Sequence, residues 1–122
     1  MRVLVIDDSR AMRSILTGIL KDLEFEVEQA SSAEEAFDML HVDSDFDLAL
    51  VDWNLPAMNG LDLVKQIRTR TELAGLRLMM VTTETELARV REALEAGADE
   101  YIMKPFDKEM LLEKLQLLGI GI

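Results

Sequence analysis

Val3-Leu4-Val5-Ile6-Asp7-Asp8 begins with a short apolar run that stops at two carboxylates. The form returns three times. Leu48-Ala49-Leu50-Val51 ends at Asp52, Leu78-Met79-Met80-Val81 at Thr82, and Tyr101-Ile102-Met103 at Lys104-Pro105. Unbroken apolar runs of this length, without alternation, mark strands buried on both faces, the habit of a parallel sheet covered by helices. Parallel strands place all ends of one kind along one edge. Three carboxylates, a hydroxyl and an ammonium, scattered over a hundred residues, are therefore expected to converge on one rim.

The segments between these runs carry helical period. Met12, Ile15, Leu16, Ile19, Leu20 and Leu23 fit the i, i+3, i+4, i+7 pattern of a first helix whose apolar side faces the core. Phe25–Ala30 is more polar, with Phe25 and Val27 on one face, as suits an edge strand. Ser31-x-x-Glu34 and Ser32-x-x-Glu35 are both capping boxes for a second helix through Ala33, Ala36, Phe37 and Leu40. His41 falls in its last turn, where a cation suits the helix dipole. Asn54, Pro56, Asn59 and Gly60 mark a loop before a third helix with Leu61, Val64 and Ile67. Thr83-x-x-Glu86 starts a fourth helix with Leu87, Val90 and Leu94 inward, and Gly97 sits at its left-handed terminus. Asp107 caps a fifth helix carrying Leu111, Leu115 and Leu118.

Five βα units in strict alternation predict an α/β fold: a doubly wound, flavodoxin-like, five-stranded parallel sheet with five helices. The expected strand order is 2-1-3-4-5, adopted from known doubly wound folds because nothing in the residues selects it. That order puts the switch point, where ligands bind, between the strands ending in Asp7-Asp8 and Asp52.

The 122 residues suit one domain, read as residues 1–122, with no linker before the closing Gly-Ile-Gly-Ile. With no cysteine, thiolate metal sites and disulfides are excluded. No signal-peptide core or membrane-length apolar run is present, so a cytoplasmic address without membrane contact is expected. The net charge of −11 argues against direct nucleic-acid binding, which needs clustered Lys and Arg. The basic residues that do group, Lys65, Arg68 and Arg70 and then Arg77, Arg89 and Arg91, read as solvated helix faces.

Carboxylates gathered at one rim repel. Two of them about 5 Å apart at an effective dielectric near 20 cost roughly 3 kcal/mol. Three such pairs approach about 10 kcal/mol, comparable with the whole stability of a domain. A hard divalent cation relieves this, and an all-oxygen site that keeps several waters suits Mg²⁺. One aspartate could instead cap the first helix, but capping accounts for neither the pair nor Asp52.

Asp7-Asp8-Ser9-Arg10, Asp52-Trp53-Asn54-Leu55-Pro56-x-Met58-Asn59-Gly60, Val81-Thr82-Thr83-Glu84 and Gly97-Ala98-x-x-Tyr101-Ile102-x-Lys104-Pro105-Phe106 stand in order along the whole chain. Together they resemble the receiver domain of two-component response regulators. Asp52-Trp53-Asn54 and Thr82-x-Glu84 are most similar to the chemotaxis members. The resemblance implies a phosphorylation switch rather than an enzyme. Asp52 is then the phosphoacceptor, served by a histidine kinase or phosphotransfer protein. Asp8, Asp52 and the backbone carbonyl of Asn54 hold Mg²⁺, with Asp7 reaching it through water. Lys104 pairs with the phosphoryl oxygens, Thr82 moves to hydrogen-bond them, and Tyr101 turns inward behind it. Lys104-Pro105 is cis, and Asn54 and Glu84 tune how long the acyl phosphate lasts, here towards a short-lived signal. A downstream protein reads the face of helix 4, strand 5 and helix 5. Two departures from the family pattern, Asn59 and Thr83, bear on loop capping and on access to Asp52.

Three other readings compete. A Mg²⁺-dependent aspartate-nucleophile phosphatase wants a second acid two residues after the nucleophile, where Asn54 stands. A flavodoxin-like binding module wants an anion-cradling loop after strand one, where Asp7-Asp8 repels phosphate. A receiver excised from a longer regulator with a DNA-binding or enzymatic output domain is the third; the missing linker favours a stand-alone switch.

Overall fold

A computed structural model describes residues 1–83 and 86–120. Its elements alternate as the apolar pattern predicts: β1 (Arg2–Ile6), α1 (Arg10–Asp22), β2 (Glu26–Ala30), α2 (Ala33–Val42), β3 (Leu48–Asp52), α3 (Gly60–Arg68), β4 (Arg77–Thr82), α4 (Val90–Ala96), β5 (Glu100–Met103) and α5 (Lys108–Leu117). Short 3₁₀ turns cover Thr71–Leu73 and Leu87–Arg89. All strands are parallel, in the order β2-β1-β3-β4-β5.

Every residue of β3 is buried, because the sheet has a hydrophobic layer on each face. Leu4, Ile6, Ala49, Val51, Leu78 and Met80 point to the side filled from α2, α3 and α4 by Ala33, Ala36, Leu40, Leu61, Val64, Ile67 and Ala93. Val3, Val5, Leu48, Leu50, Met79 and Val81 meet Leu16, Leu20, Leu111 and Leu115 of α1 and α5 on the other. Alternate residues thus serve opposite layers, which is why the runs show no polar alternation. The edge strand β2 keeps Phe25, just before it, and Val27 against one layer.

Several caps follow the sequence. Ser32 accepts the Glu35 N–H, while the Glu35 carboxylate accepts from the Ser31 N–H and hydroxyl. Asn59 and Asp107 cap α3 and α5 by accepting from the Asp62 and Met110 N–H groups. At the start of α1 the cap is Ser9, which accepts from Met12, and neither Asp7 nor Asp8. Asp7 instead accepts the Ser9 N–H at 2.8 Å, shaping the turn into the helix.

Three inward assignments are corrected. Ile15 is 58% exposed, because Leu16 and Leu20 already fill the side of α1 that meets the sheet. Leu87 and Leu94 are also exposed, whereas Val90 and Ala93 are buried. The residues after Glu86 form a 3₁₀ turn, not the first turn of the helix, and this rotates Leu87 away. Small Ala93 then packs where α4 meets α3, and Leu94, one residue on, faces out.

Arg68 is likewise no solvated side chain. Its guanidinium donates to the carbonyls of Gly97, Leu73 and Leu76 and to the Asp99 carboxylate, which also accepts the Leu78 N–H. This ties the end of α3 to the start of β4 and to the α4–β5 turn. Gly97 (φ +121°) closes α4 there, and a Cβ on it would lie 2.5 Å from the Arg68 Cγ.

Candidate functional site

The carboxyl-end rim of the sheet assembles the expected group. Asp7 directly follows β1, Asp52 ends β3 and Thr82 ends β4, and all three side chains are buried, while Asp8 is exposed. Asp7, Asp8 and Asp52 each offer an oxygen within 4.8 Å of the others'. Lys104, just past β5, places its Nζ 3.5 Å from Asp52 Oδ1 and 3.6 Å from Asp7 Oδ2. One ammonium thus faces two buried carboxylates with a third beside them, and negative charge remains in excess.

Two observations show that Lys104 relieves this excess only in part. Asp7 Oδ2 is buried and has no hydrogen-bond partner. Burial foremost, and the Asp7 carboxylate next, push the Asp52 carboxyl up from its ordinary 3.8 to about 6, although Lys104 and the Asn54 backbone N–H act in the opposite direction. Three convergent carboxylates with an unsatisfied buried oxygen form a donor set that can hold a hard cation.

The loops set this geometry closely. The Gly60 N–H donates to the Trp53 carbonyl at 3.0 Å, closing the loop between β3 and α3. A Cβ on Gly60 would collide with the backbone carbonyl oxygen of Asp52. Glycine is required there for the close approach, not for an unusual φ. Met58 packs half-buried against the core. The bond between Lys104 and Pro105 is cis, as expected.

Other named residues are placed as follows. The Thr82 hydroxyl donates to the Thr83 carbonyl at 3.2 Å. Tyr101 pairs in register with Met80, two residues below the rim, and lies half-buried under the Lys114 ammonium at 4.3 Å. The Asn54 side chain is turned to Glu86, to which its amide donates. Glu84 lies outside the described residues. The roles of Glu86, and of Arg89, whose guanidinium stands 5.1 Å over the Trp53 ring, were not legible in the sequence. Glu86 reads there only as the end of a capping box. A cavity of about 400 Å³ beside Arg2, Met39 and Phe46 opens at the opposite rim, away from this chemistry.

Residues 3–116 match the response regulator receiver domain, and the chain belongs to that family. Within it, similar relatives include chemotaxis proteins. The chain is 42% identical to chemotaxis protein CheY1 of Helicobacter pylori, over 97% of this chain and 96% of the relative. It is 43% identical to the chemotaxis protein CheY homolog of Campylobacter jejuni, over 99% and 95%. The crystal structure of Vibrio cholerae CheY4 superposes with a TM-score of 0.86 at 32% identity, covering 98% of both chains. The protein is thus a receiver domain homologous to the CheY chemotaxis regulators. Among the described residues, no helix is long and apolar enough to cross a membrane.

Proposed function

We propose that this protein is a stand-alone, cytoplasmic phosphorylation switch in which Asp52 accepts a phosphoryl group from the phosphohistidine of a histidine kinase or phosphotransfer protein. A carboxylate oxygen of Asp52 attacks phosphorus, the bond from phosphorus to the donor imidazole breaks, and an acyl phosphate forms. The observation that carries this reading is the charge arrangement: a buried Asp52 carboxylate facing one ammonium and two further carboxylates, one with a buried oxygen that accepts no hydrogen bond.

Asp8, Asp52 and the Asn54 carbonyl would hold Mg²⁺, with Asp7 one water removed. When bound, the cation neutralises charge that opposes attack of a carboxylate on a phosphoryl anion. Lys104 pairs with the transferred oxygens from the β5 side. Thr82, whose hydroxyl is spent on a neighbouring carbonyl at 3.2 Å, gains a stronger acceptor once the phosphoryl group arrives. Tyr101 then turns inward behind it, releasing Lys114.

The output surface is the α4–β5–α5 face. Leu94, Met103, Met110 and Leu117 supply exposed apolar groups on these three elements, fitting a protein partner. The match to chemotaxis relatives along 96% and 95% of their own length supports a switch of the same kind. Trp53 fluorescence followed during titration with Mg²⁺ and a small-molecule phosphodonor tests the reading. A metal-dependent change abolished by Asp52→Ala is expected, and a change that survives it rejects Asp52 as the acceptor.

A further inference from the structure

Glu86 spans two loops at the mouth of the site. One carboxylate oxygen accepts from the Asn54 side-chain amide, and the other accepts the Thr83 backbone N–H at 3.1 Å. Asn54 lies two residues after Asp52, and Thr83 directly follows Thr82. The Glu86 N–H also donates to the Thr83 carbonyl at 3.1 Å, so the turn carrying it is closed on itself. Three residues further on, the Arg89 guanidinium covers the ring of Trp53, which is 2% exposed. The β4–α4 turn is therefore fastened to the β3–α3 loop at two points, Arg89 on Trp53 and Glu86 on Asn54, the two residues that follow Asp52.

We infer that Glu86 is a positioning residue for the acyl phosphate, a latch that holds the Asn54 amide away from the phosphoryl group and so prolongs the phosphorylated state. This rests on Asp52 being the phosphoacceptor. The chemistry is direct. Hydrolysis needs a polar group that orients water for attack at phosphorus, and Asn54 is a neutral amide able to do so. An amide committed to a charge-assisted hydrogen bond with Glu86 gives up that bond to turn towards the phosphoryl group. The latch is also self-limiting, because a phosphoryl group adds up to about two negative charges near an existing carboxylate. Phosphorylation and the latch oppose one another, and their balance sets the lifetime.

The test is a double-mutant cycle on the first-order loss of phosphate from protein loaded with a small-molecule phosphodonor and Mg²⁺. Glu86→Ala is expected to lose phosphate roughly three- to tenfold faster than wild type, the range that the net contribution of one solvent-exposed hydrogen bond supports. Glu86→Gln, which still offers an acceptor, should fall between the two. In an Asn54→Ala background the Glu86→Ala effect should vanish, because the latch acts only through that amide. A merely structural role would change melting temperature without this non-additivity. Normal loading with an unchanged or slower loss in Glu86→Ala, or an equal effect in the Asn54→Ala background, overturns the latch alone. Absence of metal-dependent loading in the wild type overturns the phosphoacceptor reading, and the latch with it.

Discussion

Replacing Asp52 with Asn should stabilise the metal-free protein, and by an amount that depends on pH. Folding moves this carboxyl from 3.8 up to about 6, so burial and Asp7 outweigh the attraction of Lys104. Between those values the native state retains a proton that the unfolded chain has lost. The group's contribution is therefore fully present below 3.8, and stability falls as pH rises through about 6. The rise corresponds to about 3 kcal/mol against folding at neutral pH. The geometry gives the same order: carboxylate oxygens within 4.8 Å of one another repel by at least about 3 kcal/mol per pair at an effective dielectric near 20. An amide of the same shape removes that charge. In EDTA at about pH 8, Asp52→Asn should raise the melting temperature by about 5–15 °C. The difference should shrink through about pH 6 and disappear near pH 4, as the wild-type carboxyl takes up its proton. Differential scanning calorimetry over that pH series measures it. A pH-independent difference, or a mutant less stable than wild type at pH 8, would show that the Lys104 pair dominates and refute the reasoning.

Three further outcomes follow from the same geometry. Mg²⁺ should raise the wild-type melting temperature, since three carboxylates that share one ammonium gain a further countercharge; a flat titration in calorimetry contradicts this. Asp8→Ala should stabilise the metal-free form by removing one of three repelling charges, and should lose most of the Mg²⁺ response; an unchanged response would exclude Asp8 as a ligand. Gly60→Ala should cost about 1–3 kcal/mol in urea unfolding and perturb Trp53 emission, because its Cβ collides with the carbonyl of Asp52; a neutral result would show that the loop yields without strain.

Much of this was legible because strand ends do two jobs at once. Asp52 and Thr82 terminate apolar runs in sequence for the same reason that they stand at the rim in space. Ser32 and Glu35, Asn59 and Asp107 announce helix starts through purely local hydrogen bonds, which spacing records well. What spacing does not record is contact between distant segments. Arg68 looks like a solvated cation because the carbonyls that claim it belong to residues five to twenty-nine positions on. Glu86 reads as a cap although one oxygen reaches Asn54, thirty-two residues back. Leu87 fits a helical period, but the period assumes one continuous helix, and the 3₁₀ turn before Val90 breaks its phase; within α4 the small Ala93, which the pattern passes over, is the buried residue beside Val90, and Leu94 is left exposed.

Whether Asp52, among three converging aspartates, carries the phosphoryl group is read directly by chemical trapping. Borohydride reduces an acyl phosphate to an alcohol, so trapping after loading with a small-molecule phosphodonor and Mg²⁺ marks the acceptor for peptide mass spectrometry. Homoserine is expected at position 52 alone, dependent on Mg²⁺ and absent from Asp52→Asn. Reduction at Asp7 or Asp8 in the wild type, or a metal-dependent product that persists in Asp52→Asn, would contradict it.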